Sequence, residues 1–264
     1  GNGGTGTGMT EFKPSLSIFD FSGVYRFQDF YKGVGHVWVN FTDLSGVNGY
    51  CDQEAAQVIE ERAKKLEEGI HYIDGGNYHY VSFLLLKKIK TPFSLVVFDH
   101  HTDMMTSAFG DLLSCGSWIR EALIGVENLK QVILIGVDDE LEKTIEPGDR
   151  KKIILYTEGE IRKNQNWAAK AVKQIEFPVY FSIDKDVFDP REAMTDWDQG
   201  TMTLDQLELF CILAAEKQEI LGADVCGERA FQEKPGQEGL GDCKNSAANK
   251  RILKTLWGIP WKKV

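Results

Sequence analysis

Two clusters of carboxylates and imidazoles could do chemistry in this sequence. In one, Ser94-Leu95-Val96-Val97-Phe98 runs into Asp99-His100-His101-Thr102-Asp103. In the other, Phe181-Ser182-Ile183 runs into Asp184-Lys185-Asp186-Val187-Phe188-Asp189-Pro190. Alternate residues of an extended chain project to one side, with ~6 to 7 Å of rise per pair. The first cluster is therefore predicted to present Asp99, His101 and Asp103 as a row, and the second Asp184 and Asp186. Four carboxylates in one partly buried pocket would raise one another's pKa or open the site; two divalent cations would cancel the charge. Oxygen and imidazole donors without a thiolate signature suit Mn²⁺, Fe²⁺ or Zn²⁺ in a reactive site better than a structural zinc. Two ions ~3.5 to 4 Å apart can share a hydroxide, lower the pKa of its parent water and polarise an electrophile. The chemistry expected is hydrolysis. A lone Asp-x-Asp after a strand is ordinarily a turn or a cap, so the pairing of two rows carries this reading. His100 should point away, as a packing residue or an outer partner, and His36 and His71 read as core or surface histidines.

Both rows follow apolar runs without alternation, as expected of strands buried on both faces of a parallel sheet. Further strands are expected at 16–21, 36–41, 70–73, 131–137, 153–156 and 220–225. Helices are expected at 53–68, capped by Asp52, and at 82–89, 118–123, 167–174, 203–217 and 247–256. Residues 104–116 read as a long loop. This alternation implies right-handed βαβ units and an α/β fold, with ligands at the carboxyl ends of the strands. Four polar clusters, 75–79, 99–103, 184–189 and 224–228, follow such ends.

At 264 residues and 42% hydrophobic content, the chain can bury a large core, and one domain over 9–264 is expected. Residues 1–8, Gly-Asn-Gly-Gly-Thr-Gly-Thr-Gly, read as a vector-derived leader: no strand precedes them and no helix pattern follows, as a phosphate-binding loop would need. The net charge of −10 argues against nucleic acid or an anionic membrane as partner, leaving a small-molecule substrate; a homo-oligomer is compatible with the sequence but not specified by it. No apolar run reaches the ~20 residues that cross a bilayer, and no signal-like segment opens the chain. Five cysteines without a CxxC pair fit free thiols in a reducing, cytoplasmic compartment.

The two motifs resemble those of the arginase/agmatinase (ureohydrolase) superfamily. Asp99-His100-His101-Thr102-Asp103 is similar to DAHxD, and Ser182 to Pro190 to SxDxDxxDP; weaker likeness extends over about 70–228. The resemblance implies a three-layer α/β sandwich with a mostly parallel central sheet and a binuclear centre of two divalent ions, Mn²⁺ by preference with Fe²⁺ or Zn²⁺ as alternatives. It implies Asp99 and Asp184 as bridges, His79 and Asp103 on one ion, and His101 and Asp186 on the other. The implied reaction is cleavage of a C–N bond in a guanidino or amidino compound by a metal-bridging hydroxide. A deacetylase-like amidase and a non-catalytic metal-binding relative are the alternatives.

Three departures bear on this. The family's GGDHS stands as Gly75-Gly76-Asn77-Tyr78-His79, one residue longer, so either the loop absorbs a residue and His79 is the ligand, or Tyr78 takes the slot. Where a His-Gly proton shuttle is common, the chain has Ser114-Cys115-Gly116-Ser117; Cys115 is either a replacement acid/base or a small buried residue. The specificity loop becomes Asp196-Trp197-Asp198-Gln199-Gly200-Thr201. The Asp-x-x-Glu whose glutamate orients the guanidinium becomes Asp224-Val225-Cys226-Gly227-Glu228. Glu228, with Trp197 or Asp198, is a candidate for substrate contact; a salt bridge and a packing aromatic are equally good readings.

Overall fold

The computed structural model describes residues 13–107, 110, 112–229 and 239–261, with the side chains of 240 and 241 left aside. Residues 1–8, expected to be a vector-derived leader, lie outside them. Eight strands form one sheet: β1 (Ser15–Asp20), β2 (Val37–Asn40), β4 (Gly69–Tyr72), β5 (Phe93–Phe98), β7 (Leu129–Val137), β8 (Ile153–Thr157), β9 (Val179–Asp184) and β10 (Ile220–Cys226). Their order is β2-β1-β4-β10-β9-β5-β7-β8, and each neighbouring pair is parallel. A separate antiparallel pair joins β3 (Tyr50–Cys51) to β6 (Leu113–Ser114).

Every residue of β5 and of β9 is buried. Their side chains alternate between two cores, because successive residues of a strand point to opposite faces. Val96, Phe98, Phe181 and Ile183 join the core under the helices Trp167–Lys173, Leu204–Lys217 and Leu240–Gly258. Leu95, Val97 and Tyr180 join the core under Gln53–Lys64, Val81–Leu86 and Trp118–Gly125. The expected three-layer sandwich is the one observed. Burying one such large apolar side chain contributes ~1.5 to 3 kcal/mol.

Local signals explain several boundaries. Asp52 accepts from Ala55 N, and Thr203 and Gln206 form a capping box, so both helices start where their caps stand. Other boundaries differ from expectation. The first helix stops at Lys64, four residues early. The helix Glu158–Lys163 was not foreseen, although Thr157 caps it. The last helix begins at Leu240 rather than 247. His36 precedes β2, exposed, with Nδ1 2.7 Å from the Val34 carbonyl oxygen.

The chain lays β1, β2 and β4 on one side, crosses to β5, β7 and β8 on the other, and returns to fill the middle with β9 and β10. The carboxyl ends of the middle four strands therefore meet at the point where the winding reverses, the usual place for a ligand crevice in open α/β sheets.

Candidate metal centre

The face on which each side chain lies follows from the alternation. Phe98, Ile183 and Val225 belong to one core, so Asp99, Asp184 and Cys226 emerge toward the other side. Cys226 is paired with Asp184 in the β10–β9 register, and Asp224 with Ser182. The row expected of 99–103 does not exist as an extended strand. β5 ends at Phe98, His101 N–H turns back to donate to Asp99 Oδ1 (2.8 Å), and Asp103 is left-handed at φ 50°. The three side chains converge because the chain curls around the site, not because it runs straight past it.

The 75–79 loop absorbs its extra residue as a single 3₁₀ turn, Gly76–Tyr78. Asp74, at φ 77°, anchors it by accepting from the backbone N–H of Phe21, Ser22 and Gly75. Tyr78 stacks on Phe21 at 4.4 Å, away from the cluster, and His79 points in. Its Nδ1 lies 3.3 Å from Asp99 Oδ2, 3.2 Å from Asp103 Oδ2 and 3.3 Å from Asp184 Oδ2. On the other side of the site, His101 Nδ1 is 2.9 Å from Asp186 Oδ2 and 3.5 Å from Asp99 Oδ1.

An outer layer fixes these groups. Ser182 donates to Asp224 Oδ1 (2.7 Å), so its oxygen accepts from His79 Nε2–H (2.8 Å), which in the neutral ring leaves Nδ1 with a lone pair. That lone pair faces carboxylate oxygens, and both His79 Nδ1 and Asp99 Oδ2 are buried without a hydrogen-bond partner. Acceptors facing acceptors at 3.2 to 3.3 Å require a cation or an added proton between them. Trp118 Nε1 donates to Asp103 Oδ2 (2.7 Å), His100 N to Asp186 Oδ1 (3.1 Å) and Asp186 N to Asp184 Oδ1 (3.0 Å). His100 itself turns toward Asp138, 3.5 Å away.

Charge crowding shows in the acid–base behaviour of the amino acids alone. Burial, then Asp103 and Asp184, pushes the Asp99 carboxyl up to about 6. Burial, then Asp184 and Asp99, holds Asp186 well above the carboxylate range. Burial opposes the charged form of His101, but Asp186 and Asp99 win and push it up to about 12. Protons here do what a divalent ion does elsewhere, and ions would displace them. The donors fit two ions: His79, Asp99 and Asp103 form one group of mutually close ligand atoms, and Asp99, His101 and Asp186 another.

The sequence matches the Arginase family model over residues 20–228. A Thermotoga maritima protein described only as uncharacterized is 31% identical over 221 residues, 81% of this chain and 80% of its own. The chain belongs to the arginase family. An agmatinase of Bacillus cereus is 29% identical over 188 residues, 66% of this chain but only 61% of the agmatinase. Proclavaminate amidino hydrolase from Streptomyces clavuligerus superposes with a TM-score of 0.69 at 14% identity, over 93% of this chain and 92% of that one. Formimidoylglutamase from Bacillus subtilis gives 0.66 at 15%, over 96% and 90%.

Within this arginase-family frame, a cavity of ≈ 140 Å³ opens over the cluster. Its floor includes His101, Asp103, Asp184 and Asp186, and its walls Met105, Cys115, Leu141 and Trp197. Burial, followed by the charge of Asp103, pushes the Cys115 thiol up to about 12, which suits a protonated wall residue rather than a base. Trp197, 45% exposed, lies 5.6 Å from the His101 ring and donates to Asn77 Oδ1 (2.9 Å). Asn77 O in turn accepts from Gly49 N (3.1 Å), and Gly49 O from Cys115 N (3.0 Å), so four segments are tied around the mouth.

Glu228 is not where the family likeness would put it. Gly227, at φ 96°, swings the following residue off the cavity side. Glu228 is fully buried, with Oε1 2.9 Å from Lys185 Nζ and 2.6 Å from Asn249 Nδ2, and Oε2 3.0 Å from Gln28 Nε2. The expectation of a substrate-facing Glu228 is thus replaced by a buried ion pair. Asp198 is also absent from the described cavity lining. Sequence reasoning missed three residues at the site: Trp118, Ser182 as the partner of His79, and Cys226. For Ser182 and Cys226 a signal existed, since each lies two residues from an acidic residue of its own strand, Asp184 and Asp224.

Proposed function

We propose that the protein is a binuclear metal-dependent hydrolase, Mn²⁺-dependent by family likeness, that cleaves a C–N bond of a small guanidino or amidino compound. The observation that carries this reading is the pair of buried, unpartnered acceptors, His79 Nδ1 and Asp99 Oδ2, set among four carboxylates. His79, Asp99, Asp103 and Asp184 would hold one ion, and Asp99, Asp184, His101 and Asp186 the other. Bound there, two divalent ions supply a nucleophile from water at neutral pH and polarise the electrophile. The chain's own residues do the rest. Ser182 and Asp224 hold the His79 ring in one tautomer, Trp118 orients Asp103, and Trp197 and Met105 bound the cavity and limit water.

A second reading, an amidase acting on an acylated amine, is favoured by the pairing of Glu228 with Lys185, which removes the carboxylate expected to hold a guanidinium. After Mn²⁺ loading, urea or ammonia released from a member of a guanidino and amidino panel, and lost in Asp184→Asn, supports the first reading. Carboxylate release from acylated amines supports the second. Fewer than one ion bound per chain would refute both. No helix among the described residues is long and apolar enough to cross a membrane, and the cysteines described are free thiols, which supports a reducing compartment such as the cytoplasm.

A further inference from the structure

The donor set contains one atom that the oxygen-and-imidazole description leaves out. Cys226 Sγ, a nitrogen of His79 and a carboxylate oxygen of Asp184 lie within 4.8 Å of one another, all buried. The register explains why. Cys226 stands opposite Asp184 in the parallel β10–β9 pair, so the two side chains leave the sheet on the same face. Gly227 then permits the close approach, because a Cβ at that position would lie 2.5 Å from Asp184 Oδ1 and 2.6 Å from Lys185 N. A second, independent observation is that His79 Nδ1, a few ångströms away, is aimed into the cluster without a partner. Cys211 offers the contrast of a thiol that packs: it is buried in the helix Leu204–Lys217 beside Phe210 and Ala214, outside every group of three close ligand atoms among the described residues.

We propose that Cys226 is a sulfur donor to the ion shared by His79 and Asp184, and that it biases this half of the centre toward a thiophilic ion, Zn²⁺, Co²⁺ or Fe²⁺, over Mn²⁺. The inference rests on the metal reading above and sharpens it: the two ions sit in chemically different beds. The half around His101 and Asp186 offers only oxygen and imidazole, which Mn²⁺ accepts well, whereas thiolate selects softer ions. On binding, the thiol proton passes to solvent and the sulfur lone pair to the ion, so metal uptake at this half releases one proton more than an all-carboxylate and imidazole set would.

The test uses Co²⁺ on the full chain. A near-ultraviolet sulfur-to-cobalt charge-transfer band is expected in the wild type, absent in Cys226→Ser and retained in Cys115→Ser and Cys211→Ser. Competition dialysis should show the preference for Zn²⁺ over Mn²⁺ falling on the order of 10- to 100-fold in Cys226→Ser, at least the cost of losing an outer partner of a metal ligand. Should Cys226→Ser fail to fold, zinc-edge X-ray absorption on the wild type decides, since a sulfur neighbour at about 2.3 Å is required. Co²⁺ bound without a band, a band that follows Cys115, or a zinc shell without sulfur overturns the proposal while leaving the metal centre standing. No Co²⁺ bound at all overturns both.

Discussion

The ends of β9 and β10 carry two polar assemblies on opposite faces of the sheet. On one face Asp184 and Asp186 crowd against Asp99, Asp103 and two imidazoles, with acceptors facing acceptors. On the other, Lys185 and Glu228 are closed off by Gln28, Asn249 and the Cys226 carbonyl. Consecutive residues of one short segment thus contribute to an incomplete charge array and to a nearly complete one. Incompleteness that the fold tolerates in a buried place marks a position kept for something the chain does not itself contain; completeness marks architecture.

Breaking each face should therefore have a different signature. Asp184→Asn should abolish metal-dependent turnover and cut metal content, with a smaller loss of stability than at Glu228, because Asn keeps the size of the side chain and an oxygen that can accept from Asp186 N; calorimetry and metal analysis on the same sample separate the two effects. Glu228→Ala should do the reverse, costing about 3 to 5 kcal/mol in denaturant unfolding by stranding the Lys185 ammonium. Lys185→Met with Glu228→Leu should recover most of that, and turnover lost at unchanged stability would mean that Glu228 touches substrate after all.

A further group to test is His71 on β4, buried and in contact with the Ser17 hydroxyl; burial pushes the pKa of its imidazole down to about 3. A depressed folded-state pKa means that the unfolded chain takes the proton first. Stability is then full above the ordinary value near 6.5 and falls as pH drops toward 3, by about 1.4 kcal/mol per unit from this group. A His71→Gln variant should flatten that part of the pH–stability curve. The smallest effect should come from Trp118→Phe, which removes one donor to Asp103 and should weaken metal binding about 10-fold, readable by competitive chelation.

Much of this was legible in the amino-acid sequence where one local cause dominates. Leu95 to Phe98 and Val179 to Ile183 have no polar face, so a doubly covered strand follows. Asp52 caps, so a helix begins after it. What escaped depends on backbone turns that only the assembled fold selects. Asp103 reaches the cluster through a left-handed residue, which an extended reading cannot foresee, and Gly227 reverses the side on which Glu228 falls. His79 against Tyr78 was undecidable from spacing, because a 3₁₀ turn and an extended loop consume residues differently. The Lys185–Glu228 pair joins positions far apart in the chain, beyond any periodicity.

Asn77 replaces an acidic residue of the family motif and ties the mouth: Trp197 binds its side chain, and Gly49 its carbonyl, which in turn leads to Cys115. Loops stitched in this way cannot open singly without breaking a hydrogen bond. The rim is thereby one hydrogen-bonded piece, and widening the mouth at any one segment strains the segments beside it.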